Sequence, residues 1–195
     1  ISLQKKNSYR LLKEEDINLS KSIKLPDLTY GWAKLTCEYL AKIAFEKYNL
    51  KSVCYRPFSG YGEDQDLSYP FPSICKRVIK NKNSKIINVW GSGYQMRDFI
   101  YIDDCVNAVV KSMNKIHNGD PLNLSTGKYT NFINFTKITA NLIGASPKVI
   151  GTSKTPEGVF ARAGDTKKQK NFGIKHLITL EMGIKKSLEY FLNKK

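Results

Sequence analysis

The sequence predicts an α/β fold. Stretches whose apolar residues recur at helical spacing alternate along the chain with short apolar runs of strand length. Glycine and proline punctuate the boundaries between them. The 195 residues, 41% of them hydrophobic, suffice for one packed core, or for one with a small lobe.

Residues 1–29 are polar and read as irregular, ending in the turn signal Lys24-Leu25-Pro26-Asp27. A helix is expected over 29–48, where Leu35, Leu40, Ile43 and Ala44 recur at turn spacing. Residues 52–55 read as a strand stopped by Pro57, and Gly60 and Gly62 mark a loop. A second helix is expected over 72–79, with proline at its start. Residues 86–90 read as a strand, Gly91-Ser92-Gly93 as a turn and 98–102 as a strand. Asp103 and Asp104 supply the acidic start of a helix running to Met113. A strand at 121–124, a helix at 132–142 ended by Gly144, and a strand at 148–150 follow. Two short helices, at 166–171 and 180–192, close the chain.

Composition narrows the function classes. No apolar run reaches the length of a membrane span and no signal peptide opens the chain, so a cytoplasmic protein without a membrane partner is expected. Cys37, Cys54, Cys75 and Cys105 form no C-x-x-C pair and read as buried thiols of a reducing compartment. With only His117 and His176 available, a histidine-rich metal site is excluded and no metal is expected. The net charge is +15, but only five of the 32 basic residues are arginine, and the lysines are spread along the chain. That distribution reads as a composition bias that aids capture of an anion, and no nucleic-acid partner is expected.

Tyr30 and Lys34 stand four apart, on one face of the first long helix. A neighbouring cation favours a phenolate, and such a tyrosine can accept the proton of a hydroxyl being oxidised. The spacing alone carries little, since Tyr9/Lys13 and Tyr190/Lys194 share it. Its context carries more. The helix leads to a strand ending Arg56-Pro57-Phe58-Ser59-Gly60-Tyr61-Gly62, and later comes Gly91-Ser92-Gly93-Tyr94-Gln95-Met96-Arg97-Asp98-Phe99-Ile100-Tyr101-Ile102-Asp103-Asp104.

This succession resembles the extended short-chain dehydrogenase/reductase family. Its sugar-nucleotide epimerases and dehydratases carry Y-x-x-x-K, then R-P/Y-F-N-x-Y/V-G, then G-x-G-x-Q-x-R-D-F-I-Y-V-D-D. Pro156-Glu157-Gly158, Arg162, Asp165, Phe172-Gly173 and Glu181-x-Gly183-Ile184 resemble the family's ending. The resemblance covers nearly the whole chain, in order. It implies a partial Rossmann-type parallel sheet with a small α/β substrate-binding lobe. Residues 1–60 would belong to the dinucleotide-binding domain, 61–100 to the substrate lobe, 101–128 to the dinucleotide-binding domain again and 129–195 to the lobe. It implies NAD, or NADP, as cofactor, and a nucleotide-diphosphate sugar as substrate. The implied reaction is epimerisation or dehydration through a keto intermediate, and the full-length parent would be a homodimer.

The implied roles fall on single residues. Tyr30 would be the catalytic acid/base, and Lys34 would bond the nicotinamide ribose; both would touch the cofactor. The backbone at Pro57 and Phe58 would face the nicotinamide carboxamide. Arg97 and Arg162 would clamp the substrate diphosphate, a task suited to a forked guanidinium, with Gln95 and Ser59 in the same pocket. For Arg97 a salt bridge to Asp103 or Asp104 is the alternative. Asp98 and Asp104 read as structural.

Three departures from the family pattern stand out. Ser59 replaces the usual asparagine. None of Ser2, Ser8 and Ser20 occupies the S-S-x-x-x-Y setting of the family's catalytic Ser/Thr. No G-x-G-x-x-G turn follows a strand; after Gly91 and Gly93 the third glycine would fall at Met96, and only 29 residues precede Tyr30. The expectation is a C-terminal portion whose glycine-rich, N-terminal half lies before Ile1. Two further readings remain open within the resemblance: an NADP-dependent epimerase-reductase of the GDP-fucose synthase type, and a non-catalytic sugar-nucleotide-binding fragment. Pro156-Glu157-Gly158-Val159 resembles the GDP-mannose 3,5-epimerase branch, although Pro70 stands where that branch has its second acid/base lysine.

Overall fold

The computed structural model describes residues 5–18, 28–152 and 158–193. Ser2, Ser20, the Lys24–Asp27 turn signal, Pro156, Glu157 and Lys194 lie outside them. Six helices alternate with nine strands among the described residues. Most strand pairs are parallel, so the α/β class expected from the pattern is what the chain adopts.

Helix α1 (Leu28–Tyr48) leads to β1 (Ser52–Pro57), which pairs in parallel with β6 (Asn118–Leu124). Of the four apolar positions that suggested α1, only Leu35 is buried; Ile43 and Ala44 are half-buried and Leu40 is 56% exposed. The face turned to the sheet is instead marked by Glu38, Ala41, Lys42 and Phe45. Glu38 pairs with Arg56 of β1 at 2.5 Å. The Phe45 ring lies 5.9 Å from His117. The backbone at Ala41 and Lys42 runs so close to Gly119 that a Cβ there would sit 2.8 Å from the Lys42 amide nitrogen. With φ at +77°, Gly119 also needs a conformation other residues rarely take.

Several boundaries differ from the sequence expectation. Gly60–Tyr61 is a short strand, β2, rather than loop, because it pairs with β5 (Ile100–Tyr101). Helix α2 (Pro70–Lys80) starts two residues early: Tyr69 is extended, and Pro70, with its fixed φ, opens the helix. The strand expected over 98–102 shortens to β5, and a separate short strand, β4 (Met96–Arg97), precedes it, since Asp98 between the two turns inward. The stretch before α1 is not wholly irregular: Glu14–Asp16 form a 3-10 turn and Leu12 bridges Gly164.

Most of the remaining elements follow the pattern, but two short strands, at 130–131 and 161–162, have no counterpart in the sequence expectation. β3 (Ile86–Trp90) pairs in parallel with β8 (Lys148–Thr152). α3 (Ile102–Ser112) carries Asp103 and Asp104 in its first turn. β7 (Thr130–Asn131) and β9 (Ala161–Arg162) flank β4. α4 (Phe132–Leu142) is capped by Asn131, whose side chain accepts from the Asn134 amide at 2.7 Å. α5 (Lys167–Asn171) and α6 (Leu180–Asn193) complete the described chain.

Two apolar cores result. One packs α2, α4 and α6 around Tyr61, Phe71, Phe99 and Phe135. Its rings stack and cross, with Phe99–Phe135 centroids at 4.8 Å and Phe71–Phe135 at 5.3 Å, each pair worth about 0.5–1.5 kcal/mol beyond its burial. The other gathers Ile100, Cys105, Ala108, Leu122 and Leu124 between α3 and the β1–β6 pair. None of the helices among the described residues is long and apolar enough to cross a membrane, and no group of His, Cys, Asp or Glu there could hold a metal ion.

Candidate functional site

Strands β4 and β9 run parallel, with Arg97 opposite Arg162. Two guanidiniums therefore share one end of a small sheet. Neither makes an ion pair with a carboxylate among the described residues. The salt-bridge alternative for Arg97 is not what the chain adopts. Asp103 pairs with Lys186 at 3.0 Å, and Asp104 accepts the amides of Leu177 and Ile178 at 2.9 and 3.1 Å. Arg97 instead donates to the carbonyls of Met96 and Val159, both at 2.8 Å, and lies 5.7 Å from the Phe132 ring. Burial, and then the neighbouring Arg162, push its pKa down to about 10. A cation held at such a cost is stabilised by any anion that enters beside it.

Arg97 and Arg162 line a cavity of about 310 Å³ together with Pro57, Phe58 and Ser59. Five residues singled out from the sequence thus meet in one place, from three separate stretches of chain. β1 delivers Pro57–Ser59, where the Phe58 amide still donates to Leu124 at 2.9 Å. The Phe58 ring packs on Gly164, where a Cβ would lie 2.6 Å from a ring carbon; only glycine leaves room for that ring.

The element that joins these stretches was read from sequence only as structural. Asp98, fully buried, accepts from the Ser125 hydroxyl, the Thr126 amide at 2.9 Å, the Thr126 hydroxyl at 2.5 Å and the Gly127 amide at 2.8 Å. Ser125 Oγ in turn accepts the Gly164 amide at 2.8 Å. This network locks the residue after Arg97 to the residue two beyond Arg162, and so helps to hold the register that sets the two arginines side by side. Sequence reasoning missed Ser125 and Gly164; the one available signal was a buried-type aspartate directly after a functional arginine.

Tyr30 and Lys34 lie together but not at this cavity. Both are exposed near the start of α1, Tyr30 at 71%, with the Lys34 ammonium 5.5 Å from the Tyr30 ring centre. Neither is among the residues that line the 310 Å³ space. Gln95 also departs from expectation. It precedes β4, is only 3% exposed, does not line the cavity, and its side-chain oxygen has no partner among the described residues.

A second cavity of about 350 Å³ opens beside α1. There Glu14, Glu15, Glu38 and Asp120 outnumber Arg56, Lys42 and Lys168 by one, and Arg56 is already committed to Glu38. Its charges are largely matched, so it offers an anion less than the Arg97–Arg162 cavity does.

The family model for the NAD dependent epimerase/dehydratase family matches residues 12–125. A GDP-L-colitose synthase of Yersinia pseudotuberculosis is 23% identical over 189 residues, covering 93% of this chain and 61% of its own length. A GDP-L-fucose synthase of Sinorhizobium fredii is 24% identical over 170 residues, covering 84% of this chain and 54% of its own. Among solved structures, that of RMD from Pseudomonas aeruginosa complexed with NADPH superposes with a TM-score of 0.80 at 18% identity, over 92% of this chain and 60% of that one. The chain therefore spans between about half and three-fifths of the length of these relatives.

Proposed function

The chain belongs to the NAD-dependent epimerase/dehydratase family, and from that premise we propose that the protein converts a nucleotide-diphosphate sugar by epimerisation or dehydration through a keto intermediate. The observation that carries this reading is the Arg97–Arg162 pair: two adjacent guanidiniums, one of them largely desolvated, at an aromatic-walled cavity. A diphosphate offers two linked anionic groups for two forks. Like charges held together without an anion are hard to explain as a stabilising device.

In this reading Arg97 and Arg162 bind the diphosphate and orient the sugar over the cavity, while Ser59 contributes a hydroxyl at its wall. Tyr30 accepts the proton of the sugar hydroxyl at its Oη, and Lys34 supplies positive charge beside it. An exposed phenol and ammonium on one helix face fit the nicotinamide-ribose end of a dinucleotide, as the Pro57–Phe58 backbone fits its carboxamide. NAD, when bound, supplies the hydride acceptor and donor. Two separate apolar cores support a division into a dinucleotide-binding part and a substrate lobe.

A second reading, an NADP-dependent epimerase-reductase acting on a GDP-sugar, is favoured by the names of the relatives.

The test is calorimetric titration with UDP-glucose and GDP-mannose, in the presence and absence of duplex DNA, together with turnover of the Tyr30→Phe variant of the full-length parent. Saturable binding indifferent to DNA is expected, with Tyr30→Phe retaining affinity and losing turnover at least a hundredfold, about 2.7 kcal/mol in barrier. Turnover within a few-fold of the parent removes Tyr30 from the chemistry. Binding abolished by DNA removes the sugar-nucleotide reading.

A further inference from the structure

In the reading above, on which this inference rests, a sugar anchored at Arg97 and Arg162 gives a proton to Tyr30. Tyr30 stands on α1 and does not line the arginine cavity. Chemistry between the two places requires that α1 be held firmly against the strands that carry the arginines. The Asp98–Ser125–Gly164 network joins β4 to the end of β9; it does not reach the helix.

A second chain of bonds starts two residues earlier on β6. Asn123 is fully buried and makes two bonds to the segment upstream of α1. Its backbone amide donates to Glu14 Oε1 at 2.9 Å, and its Nδ2 donates to the Leu12 carbonyl at 2.8 Å. From Leu12 the chain runs to β9. The Leu12 amide donates to the Ala163 carbonyl at 2.9 Å, and the Asp165 amide donates to the Leu12 carbonyl at 2.7 Å; Ala163 directly follows Arg162. From Glu14 it runs to α1. The Glu14 carbonyl accepts from Arg56 Nη1 at 3.1 Å, and the same guanidinium grips Glu38 through two bonds, at 2.7 and 2.5 Å. Glu38 lies eight residues beyond Tyr30 on the same helix, about two turns along it.

Glu14 is where the two branches meet. Its carboxylate is buried and forms no ion pair among the described residues. Burying a carboxylate without a paired cation is costly, so stability alone does not account for one at this place.

We propose that Glu14 is a positioning residue: through Asn123 and Leu12 on one side, and Arg56 and Glu38 on the other, it ties the helix that presents Tyr30 to the strand that ends in Arg162. It touches no reacting atom. The bond from Asn123 needs an acceptor at Oε1 and not a charge. Glutamine supplies that acceptor and alanine does not, which gives the test its two arms.

The experiment measures kcat and substrate Kd in the full-length parent, supplied with NAD or NADP, with UDP-glucose and GDP-mannose as the probes. In Glu14→Ala, kcat per folded site is expected to fall about ten- to a hundredfold, as misplacement of a reacting group by about 1 Å implies. Calorimetric Kd should stay within about twofold, because the arginines keep their own network. Glu14→Gln is expected to return kcat to within about threefold of the parent. Arg56→Lys keeps a charge opposite Glu38 but lacks the fork that holds Glu38 and the Glu14 carbonyl together. It should show the same split between kcat and Kd, and it carries the test if Glu14→Ala does not fold. An unchanged kcat in the folded variants overturns the inference. A loss that Glu14→Gln does not repair overturns it too, since charge and not the bond is then what matters. A loss confined to Kd places Glu14 with the arginines alone and overturns it as well. These three results leave the nucleotide-sugar reading standing. A parent that converts neither probe, or a Tyr30→Phe variant that converts its probe as the parent does, overturns that reading and this inference with it.

Discussion

Replacing Arg97 by methionine keeps most of the side chain's length and removes its charge, and the expected result separates stability from affinity. In the free protein the charged form is opposed by burial and by Arg162. Lowering the guanidinium's pKa from its ordinary value to about 10 corresponds to about 3 kcal/mol against it, at about 1.36 kcal/mol per pH unit. The guanidinium stays protonated at any working pH, so this cost is present throughout. Against it stand two charge-assisted bonds, to Met96 and Val159, worth about 1.5–3 kcal/mol each at most. Together the two bonds contribute about 3–6 kcal/mol, so they offset that cost with a net of at most about 3 kcal/mol. Arg97→Met should therefore lower the unfolding free energy by no more than about 3 kcal/mol, read from the urea midpoint at unchanged slope. Affinity for a nucleotide-diphosphate sugar should fall by about ten- to a hundredfold, as loss of one charge-assisted contact of about 1.5–3 kcal/mol implies. The same titration in Arg162→Met should show a comparable loss. A variant that loses 3 kcal/mol of stability while binding as before would show that Arg97 is a structural clamp on the Val159 backbone and no part of a binding site.

Gly119→Ala places a Cβ against the α1 backbone in a left-handed conformation, and should cost about 2–4 kcal/mol; a urea midpoint within error of the parent would mean α1 sits farther from β6. Thiol titration should label the exposed Cys37 first. Burial pushes the Cys75 and Cys105 thiols up to about 12 and 11, so both should react only with denaturant, and rapid native labelling of Cys75 would contradict its packing. The bond from Arg10 holds the Asp16 carboxyl below its ordinary value. Its contribution is thus complete above the unfolded value near 3.9 and is lost as pH falls through the lower folded value. Asp16→Asn should flatten that part of the acid limb of the stability curve, and an unaltered limb would dissociate the pair from acid unfolding.

Much of this chain was decided by interactions between residues close in sequence, and those are legible without a structure. Helix and strand alternate because apolar spacing does, and α3 carries Asp103 and Asp104 in its first turn because carboxylates favour a helix N-terminus. The succession of Tyr30/Lys34, Pro57–Ser59 and Arg97 blocks pointed to a family for the same reason: each block is a local constellation. What only the tertiary structure decided is which of these meet. Leu40 and Leu35 are equally apolar, yet one faces water, because the approach of α1 to Gly119 and Arg56 sets the helix's rotation. The stretch from Asp98 to Ile102 reads as one strand, yet only Ile100 and Tyr101 form it, because the buried Asp98 carboxylate takes its four bonds from a loop at 125–127. Arg97 and Arg162 become neighbours through the parallel register of β4 and β9 and the Asp98–Ser125–Gly164 network. Gln95, placed by its motif in the same pocket as Arg97, is buried out of the cavity. Local propensity acts over a few residues, whereas register and burial are settled by hydrogen bonds and packing between segments far apart in the chain, where the sequence pattern of either segment alone is silent.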